Sequence, residues 1–256
     1  MQFIQSFQSE WLKKKYSAAA WLTLAGSFLI PVIILIARSV QFDMLYPEVI
    51  SPRFWEKLFN ISWQTMAIIL LPMGVVLATV LVTQLEFKNN TWKQVQTTPQ
   101  PLWVIFFTKL LVILIMLVQF FVLFNLGIWL SGVVPSLIYR GIPFPQEAIP
   151  FWKFLKFNIK FFVDCLPIVA LQYLLCLRFK NFLIPLGIGI GLVVTSMIAM
   201  SWKYGYVLPY IYCPLHFVGE RSAVDQSVNI HLWAACYFVV ITVISYVLYI
   251  TKKEKG

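Results

Sequence analysis

Six long apolar segments constrain the fold of this chain more than any other feature of its sequence. A helix needs about 20 mainly apolar residues to cross a hydrocarbon core of about 30 Å. Lipid offers no partner to backbone polar groups outside a helix or a closed barrel. The pattern therefore predicts an all-α polytopic membrane protein with six transmembrane helices. The predicted spans are residues 17–38, 61–84, 102–131, 155–177, 182–201 and 231–250.

Composition supports a single transmembrane domain that occupies residues 1–256. Of the 256 residues, 60% are hydrophobic and 12% are charged, whereas about 25% of the residues of soluble domains are charged. No polar stretch is long enough to hold a separate soluble domain. The formal net charge of +10 comes from basic clusters beside the apolar segments. Such clusters favour contact with anionic lipid headgroups and argue against nucleic acid as a partner.

Basic clusters also predict the orientation of the chain in the membrane. An even number of spans places both termini on one side, and lysines are concentrated at residues 13–15 and 252–255. Because cytoplasmic segments carry an excess of Lys and Arg, both termini are expected in the cytoplasm. The loops predicted at 39–60, 132–154 and 202–230 would then face outside.

Residues 1–16 carry a helical pattern before the first span. Phe3, Phe7 and Trp11 recur at four-residue spacing, and polar residues occupy the opposite side. This spacing predicts a short amphipathic helix that lies in the cytoplasmic membrane interface. A polar N-terminal tail is the alternative.

The polar segment 86–99, between the second and third spans, carries the signals of a short helix. Thr91 followed by Gln94 matches a capping box, in which two side chains satisfy free N–H groups of the first turn. Pro99 ends the helix, because a proline disfavours helical geometry in the residue before it. About two turns of helix are unstable alone in water, so this helix needs a partner surface. An ordinary cytoplasmic turn is the alternative.

The residues around this helix resemble those of a known family. Glu86 ends the second span, the sequence Lys-Asn-Asn-Thr-Trp-Lys-Gln begins at Lys88, and an aromatic-rich third span carries Lys109. The arrangement resembles the permease subunits of type-2 ABC exporters, and most closely the lantibiotic-immunity permeases of bacteria. The resemblance extends over nearly the whole chain, including the six spans and the amphipathic N-terminal helix.

The resemblance implies that residues 86–99 form a coupling helix, which docks on the ATP-hydrolysing subunit of the transporter. Trp92 is the expected anchor, since desolvated aromatic side chains dominate the energetics of many interfaces. The residues expected to contact the ATPase subunit are Glu86, Lys88, Asn90, Thr91, Trp92, Lys93 and Gln94.

The resemblance also implies the partners, the location and the function. A second permease copy or a related permease would complete the translocation path, and ABC ATPase subunits would bind ATP and Mg²⁺. The membrane would be the bacterial cytoplasmic (inner) membrane, and the expected function is ATP-driven export of an antimicrobial peptide or a similar amphipathic substrate. The sequence contains no G-x-x-x-x-G-K-[ST] motif, so this chain is not expected to be an enzyme or to hold a cofactor.

Polar and small residues inside the spans are further candidates for function. Asp164 is the only acid deep in an apolar segment, and an ion pair with Lys160, one helical turn earlier, is expected. A transport or proton-relay role for Asp164 is the alternative. Lys109 is expected to extend its ammonium group to the cytoplasmic headgroups. Gly187 and Gly191 form a small-xxx-small pair, which predicts close helix packing.

Other classes of function fit the sequence less well than an exporter. An ion-coupled secondary transporter usually has several buried ionisable groups and an internal repeat, and this sequence shows neither. A non-transport subunit of a larger membrane complex is a further alternative. A membrane enzyme is disfavoured, because His216 and His231 form no HExxH motif. The four cysteines show no zinc-ligand spacing, so no metal site is predicted.

Overall fold

The computed structural model describes residues 2–88, 101–218 and 222–251, without the side chains of residues 42–44 and 85–88. This part of the chain is built of α-helices joined by turns and short connections. The helices are α1 (Gln2–Lys14), α2 (Ala18–Val40), α3 (Phe42–Ile50), α4 (Phe54–Thr65), α5 (Leu71–Lys88), α6 (Leu102–Ile138), α7 (Phe151–Arg178), α8 (Leu183–Ala199), α9 (Tyr212–Val218) and α10 (Ile230–Thr251).

Five helical segments in the described ranges are long and apolar enough to cross a membrane. They support the predicted polytopic membrane protein. The sixth predicted span, residues 182–201, corresponds to α8, an apolar helix of 17 residues. At 1.5 Å per residue it is about 25 Å long, so its crossing of the bilayer stays a prediction. The five segments are Ala18–Val40, Phe54–Gln84, Leu102–Ile138, Phe151–Arg178 and Ile230–Thr251.

The two ends of the described chain lie at the same end of the helix bundle. The Phe3 ring of α1 stacks on Trp103 at the start of α6, with ring centroids 6.2 Å apart. The Tyr249 ring near the end of α10 lies 5.7 Å from the ring of Phe106, also near the start of α6. We call this end of the bundle the lower end and the opposite one the upper end. The arrangement agrees with an even number of passes along the bundle.

Arg38 lies near the upper end of α2 and contacts the segment that follows, which the sequence predicted as a loop. The predicted loop at 39–60 instead holds α3 and the first turns of α4. The buried Arg38 side chain donates from Nε to Glu48 Oε2 at 3.0 Å, and its Nη1 donates to the carbonyl oxygen of Ser131. Because this guanidinium joins α2, α3 and α6, it holds the short helix α3 in place.

A π-helical turn, Met66–Leu70, joins α4 and α5 into one continuous span. The N–H of Leu71 bonds to the carbonyl oxygen of Met66, five residues earlier. Pro72 follows directly and has no N–H to offer the regular helical ladder. Single π turns inside α-helices are frequent at functional sites. The span therefore changes its hydrogen-bond register near its middle.

Aromatic side chains fill the core between α4, α6 and α7. Trp63 is fully buried, and its ring lies 4.8 Å from Phe121, 4.4 Å from Phe124 and 5.2 Å from Phe161. Aromatic pairs at such separations each add about 0.5–1.5 kcal/mol beyond the burial of their area. This cluster fixes the three helices relative to one another.

The close approach of α8 to the bundle occurs at Gly189 and not at the predicted pair, Gly187 and Gly191. A Cβ atom at Gly189 would lie 2.6 Å from Val76 Cγ1 and 2.7 Å from Gln172 Oε1. A Cβ atom at Gly187 or Gly191 would meet no atom of the described residues within 4 Å. The predicted pair lies on the exposed side of α8, so packing there would require another surface.

Hydrogen bonds to the Gln172 side chain make the contact at Gly189 rigid. Gln172 is fully buried, and its Nε2 donates to the carbonyl oxygen of Pro185 at 2.8 Å. Its Oε1 accepts a hydrogen bond from the Tyr210 hydroxyl at 2.9 Å. The amide cannot move aside without breaking a buried hydrogen bond, which costs about 1–3 kcal/mol when a group is left unsatisfied.

We expect Gly189→Ala to lower the free energy of unfolding by about 1–3 kcal/mol, because the added methyl group overlaps Val76 and Gln172. Gly187→Ala is the matched control, and it should leave stability unchanged or slightly raised, since alanine is the better helix former. Unfolding in mixed detergent micelles, followed by circular dichroism, measures both variants. Equal stability of the two variants would contradict the packing described for α8.

Candidate functional site

Asp164 of α7 lies between two histidines in the upper half of the bundle. His216 Nδ1 lies 2.6 Å from Asp164 Oδ2, and His231 Nδ1 lies 2.8 Å from Asp164 Oδ1. The Asp164 side chain is 0% exposed, and those of His216 and His231 are 9% and 32% exposed. With a proton on Nδ1, each imidazole donates to one carboxylate oxygen, so both oxygens are satisfied.

Local features of the chain bring the two histidines to Asp164. His231 lies in the first turn of α10, where the Asn229 side-chain oxygen accepts hydrogen bonds from the backbone N–H groups of His231 and Leu232 at 3.2 and 3.3 Å. This N-cap fixes the start of α10. His216 lies on the short helix α9. One turn earlier on the same helix, the Sγ atom of Cys213 lies 3.3 Å from the Sγ atom of Cys165 on α7. These contacts hold three separate elements together around one carboxylate.

The structure gives Asp164 different partners from the one predicted. Lys160 is exposed, and in the described part of the chain the ion-pair contacts of Asp164 are to His216 and His231. Lys160 instead lines an open cleft of about 580 Å³ in front of the histidines. The reason is that the two imidazoles occupy both carboxylate oxygens. The residues lining the cleft are Lys153, Lys156, Phe157, Ile159, Lys160, His216 and His231.

Sequence reasoning missed this cluster because its members are far apart in the chain. His216 and His231 lie 52 and 67 residues after Asp164, so no local motif joins them. One signal was available: the only deeply placed acid and the only two histidines of the chain were all predicted in the outer half of the membrane or beyond it.

A second polar contact joins α1 to the lower half of α6. α1 occupies the position of the predicted amphipathic helix, but the stripe that it buries is polar: Ser6, Glu10 and Lys14. The Ser6 and Thr108 hydroxyls lie 3.3 Å apart, and Lys14 Nζ donates to Gln119 Oε1 at 2.7 Å. Burial lowers the pKa of the Lys14 ammonium group. The location of α1 at a membrane surface stays a prediction.

Lys109 belongs to this contact and does not extend to a membrane surface. Its side chain is 2% exposed, and its Nζ lies 3.9 Å from Glu10 Oε2. The predicted extension towards the headgroups is therefore replaced by a buried ion pair, because α1 packs over this part of α6. Glu10 also accepts a hydrogen bond from Lys13 at 2.6 Å.

An apolar cavity of about 410 Å³ lies between α2, α5 and α6, with side chains of α7 and α8 behind it. Its wall includes Gly26, Gly74 and Phe120 together with many aliphatic side chains. Two threonines, Thr23 and Thr79, are its polar groups. The buried Thr79 Oγ1 has no hydrogen-bond partner among the described residues.

The predicted coupling-helix residues lie mostly outside the described residues. Asn90, Thr91, Trp92, Lys93 and Gln94 fall between the described ranges. Glu86 and Lys88 lie in the last turn of α5, and their side chains are not described. The segment 89–100 joins α5 to α6 and is thus attached at the lower end of the bundle.

A family model described as "ABC-2 family transporter protein" matches residues 6–211. The matched range covers about four fifths of the chain and includes Asp164, but it ends before His216 and His231. No curated protein matches the chain.

The hydrogen bond between Lys14 of α1 and Gln119 of α6 should be measurable as a coupling free energy. We expect Lys14→Met and Gln119→Leu to show a coupling free energy of about 1.5 kcal/mol or more, as is typical of hydrogen bonds to charged groups. A double-mutant cycle on unfolding in mixed micelles measures this coupling. The exposed neighbour Lys15 provides the control, because Lys15→Met should show no coupling to Gln119→Leu. Coupling of the same size with Lys15 would contradict the specific contact.

Proposed function

The chain belongs to the ABC-2 family of transporter proteins, and from that premise we propose that it is the permease subunit of an ATP-driven exporter. The observation that carries this proposal is the family match over residues 6–211, on a chain with five helices suited to cross a membrane. The family and the helices make the chain a membrane transport subunit. Export, the energy source and the substrate are the proposed part.

ABC ATPase subunits are the proposed source of energy, docked at the lower end of the bundle. The sequence has no phosphate-binding P-loop motif of its own, so ATP and Mg²⁺ would be bound by those subunits. α5 leads to the lower end and α6 begins there, so the segment between them, residues 89–100, is attached where both ends of the described chain lie. With cytoplasmic termini this segment faces the ATPase subunits, as a coupling helix must.

The proposed substrate is an antimicrobial peptide or a similar amphipathic molecule. The cavity between α2, α5 and α6 supports this choice, since its wall is almost wholly apolar. Such a wall favours aliphatic or aromatic groups with few polar atoms. Expulsion of a membrane-active peptide from the cytoplasmic membrane would protect the bacterium that produces the peptide or is attacked by it. This protection is the proposed immunity role.

A second permease, identical or related, is the proposed partner within the membrane. α2 and α10 leave large apolar faces uncovered, for example at Ile36 and Val239, which are 56% and 59% exposed. Gly187 and Gly191 leave open space on the exposed side of α8. Lipid or a second subunit would cover these faces. Switching between two packings of the assembled bundle would move the substrate.

An ion-coupled carrier is the second candidate function, and the Asp164 cluster is the observation that favours it. A carboxylate on a membrane-spanning helix can exchange protons with two imidazoles that contact it. The two candidates differ in their energy source, so a test for an associated ATPase separates them.

Trp92→Ala is expected to weaken binding of the ATPase subunit by about 2 kcal/mol or more, roughly 30-fold in Kd, as for loss of an aromatic anchor. The measurement is purification from native membranes in mild detergent, with identification of co-purifying proteins and an ATP hydrolysis assay. Trp152→Ala is the matched control, because Trp152 is exposed at the upper end of α7. An active preparation without any ATPase would contradict the exporter and favour the ion-coupled carrier.

Gly74→Phe is expected to fill the apolar cavity and to abolish peptide stimulation of ATP hydrolysis by the assembled transporter. A Cβ at Gly74 meets no described atom within 4 Å, so the phenyl ring can enter the cavity without displacing the backbone. Ala37→Phe, at an exposed position of α2, is the control and should leave the stimulation intact. Full stimulation of ATP hydrolysis by the peptide in a folded Gly74→Phe variant would show that the cavity is not part of the transport path.

A further inference from the structure

We propose that Asp164, His216 and His231 form a binding site for a divalent transition-metal ion of the zinc type. The site uses one carboxylate and the Nδ1 atoms of two imidazoles, contributed by α7, α9 and α10. This inference does not depend on the exporter function, since it concerns the chemistry of three side chains. It also adds a site that the sequence pattern did not predict.

The distances between the ligand atoms suit a single ion. One ligand atom from each of the three residues lies within 4.8 Å of the others, and each Nδ1 is already 2.6 or 2.8 Å from a carboxylate oxygen. Zinc binds nitrogen and oxygen ligands at about 2.0–2.2 Å, which places neighbouring ligand atoms of a tetrahedral site about 3.3 Å apart. An increase of about 0.5–0.7 Å in the two nitrogen–oxygen distances would therefore admit the ion.

The donor set and its protonation also favour a zinc-type ion. Imidazole nitrogens suit zinc, copper, nickel and iron, whereas magnesium and calcium prefer oxygen ligands. To bind metal through Nδ1, each imidazole would move the proton that it donates to Asp164 from Nδ1 to Nε2, a tautomer change that leaves the ring neutral. Three protein ligands leave a fourth position, and the cleft lined by both histidines gives water access to it.

The electrostatics of the cluster also fit a cation. Asp164 is fully buried in a membrane-spanning helix, where an anion held only by neutral donors keeps an uncompensated charge. Three lysines line the cleft, but Lys153 is paired with Glu56 at 2.7 Å. Lys156 and Lys160 are exposed, so water and salt screen their charge from the buried carboxylate.

A metal ion at this site would cross-link the three elements that carry the ligands. The Asp164–His216 contact and the packing of Cys213 on Cys165 already join α9 to α7. Since an ion bound only by the folded state stabilises that state, Zn²⁺ should raise the unfolding temperature of the protein.

The test is equilibrium dialysis of the full-length chain in detergent against Zn²⁺, with the bound metal counted by mass spectrometry. The chain is purified through an affinity tag without histidine or cysteine. We expect about one Zn²⁺ per chain, and a loss of affinity of about 100-fold or more in Asp164→Asn and His231→Ala, since even the loss of groups that only orient ligands costs 10–100-fold. Zn²⁺ should raise the unfolding temperature of the wild type but not of these variants.

Two control variants test the specificity of the site. Lys160→Gln changes the same cleft without removing a ligand, and Cys236→Ser removes the exposed cysteine of the chain. Both should bind Zn²⁺ like the wild type. Absence of stoichiometric binding, or binding that survives in both Asp164→Asn and His231→Ala, would overturn the proposal. If Asp164→Asn does not fold, His231→Ala alone decides, because its side chain is partly exposed and its loss leaves the core intact.

Discussion

The structure depends on one constraint: a charged or amide side chain placed between apolar helices needs a hydrogen-bond partner from another element of the chain, because lipid offers none. Asp164 finds two histidines, Gln172 finds the carbonyl of Pro185 and the hydroxyl of Tyr210, and Lys14 finds Gln119. Each contact joins different elements of the chain. Apolar packing supplies the contact area, and these few polar pairs select which helices lie together and in which register.

Features that depend on local length and composition could be predicted from the sequence. The apolar runs that became α2, α6, α7 and α10 were long enough to identify without any tertiary information, although α6 and α7 extend beyond the predicted bounds. The helix α3 was missed because a buried partner, Arg38, stabilises it. Gly189 was missed for a related reason: the small-residue spacing identified a face of α8, but only the positions of Val76 and Gln172 reveal which face is covered.

The candidate site extends across the end of the family match, since Asp164 lies inside the matched range and both histidines lie after it. The cluster around Asp164 depends on α9 and the start of α10, beyond the range that the family match covers. The helices α5 and α6 and the residues that line the cavity beside them all lie within the matched range. No spacing rule applied to the chain could join Asp164 to residues 52 and 67 positions later. Only the tertiary arrangement reveals them as neighbours.

The π turn at Met66–Leu70 restricts how this span can change in length. A π turn holds one residue more than an α turn, and each residue of an α-helix rotates the side chains by about 100°. Trp63 on one side of the turn packs in the aromatic core, and Val76 on the other side packs against Gly189. Deletion of one residue from the π turn would close it to an α turn and keep both faces in place, whereas removal of a second residue would rotate one face by about 100° relative to the other. The number of residues between Trp63 and Val76 is thus set by packing on both sides of the π turn.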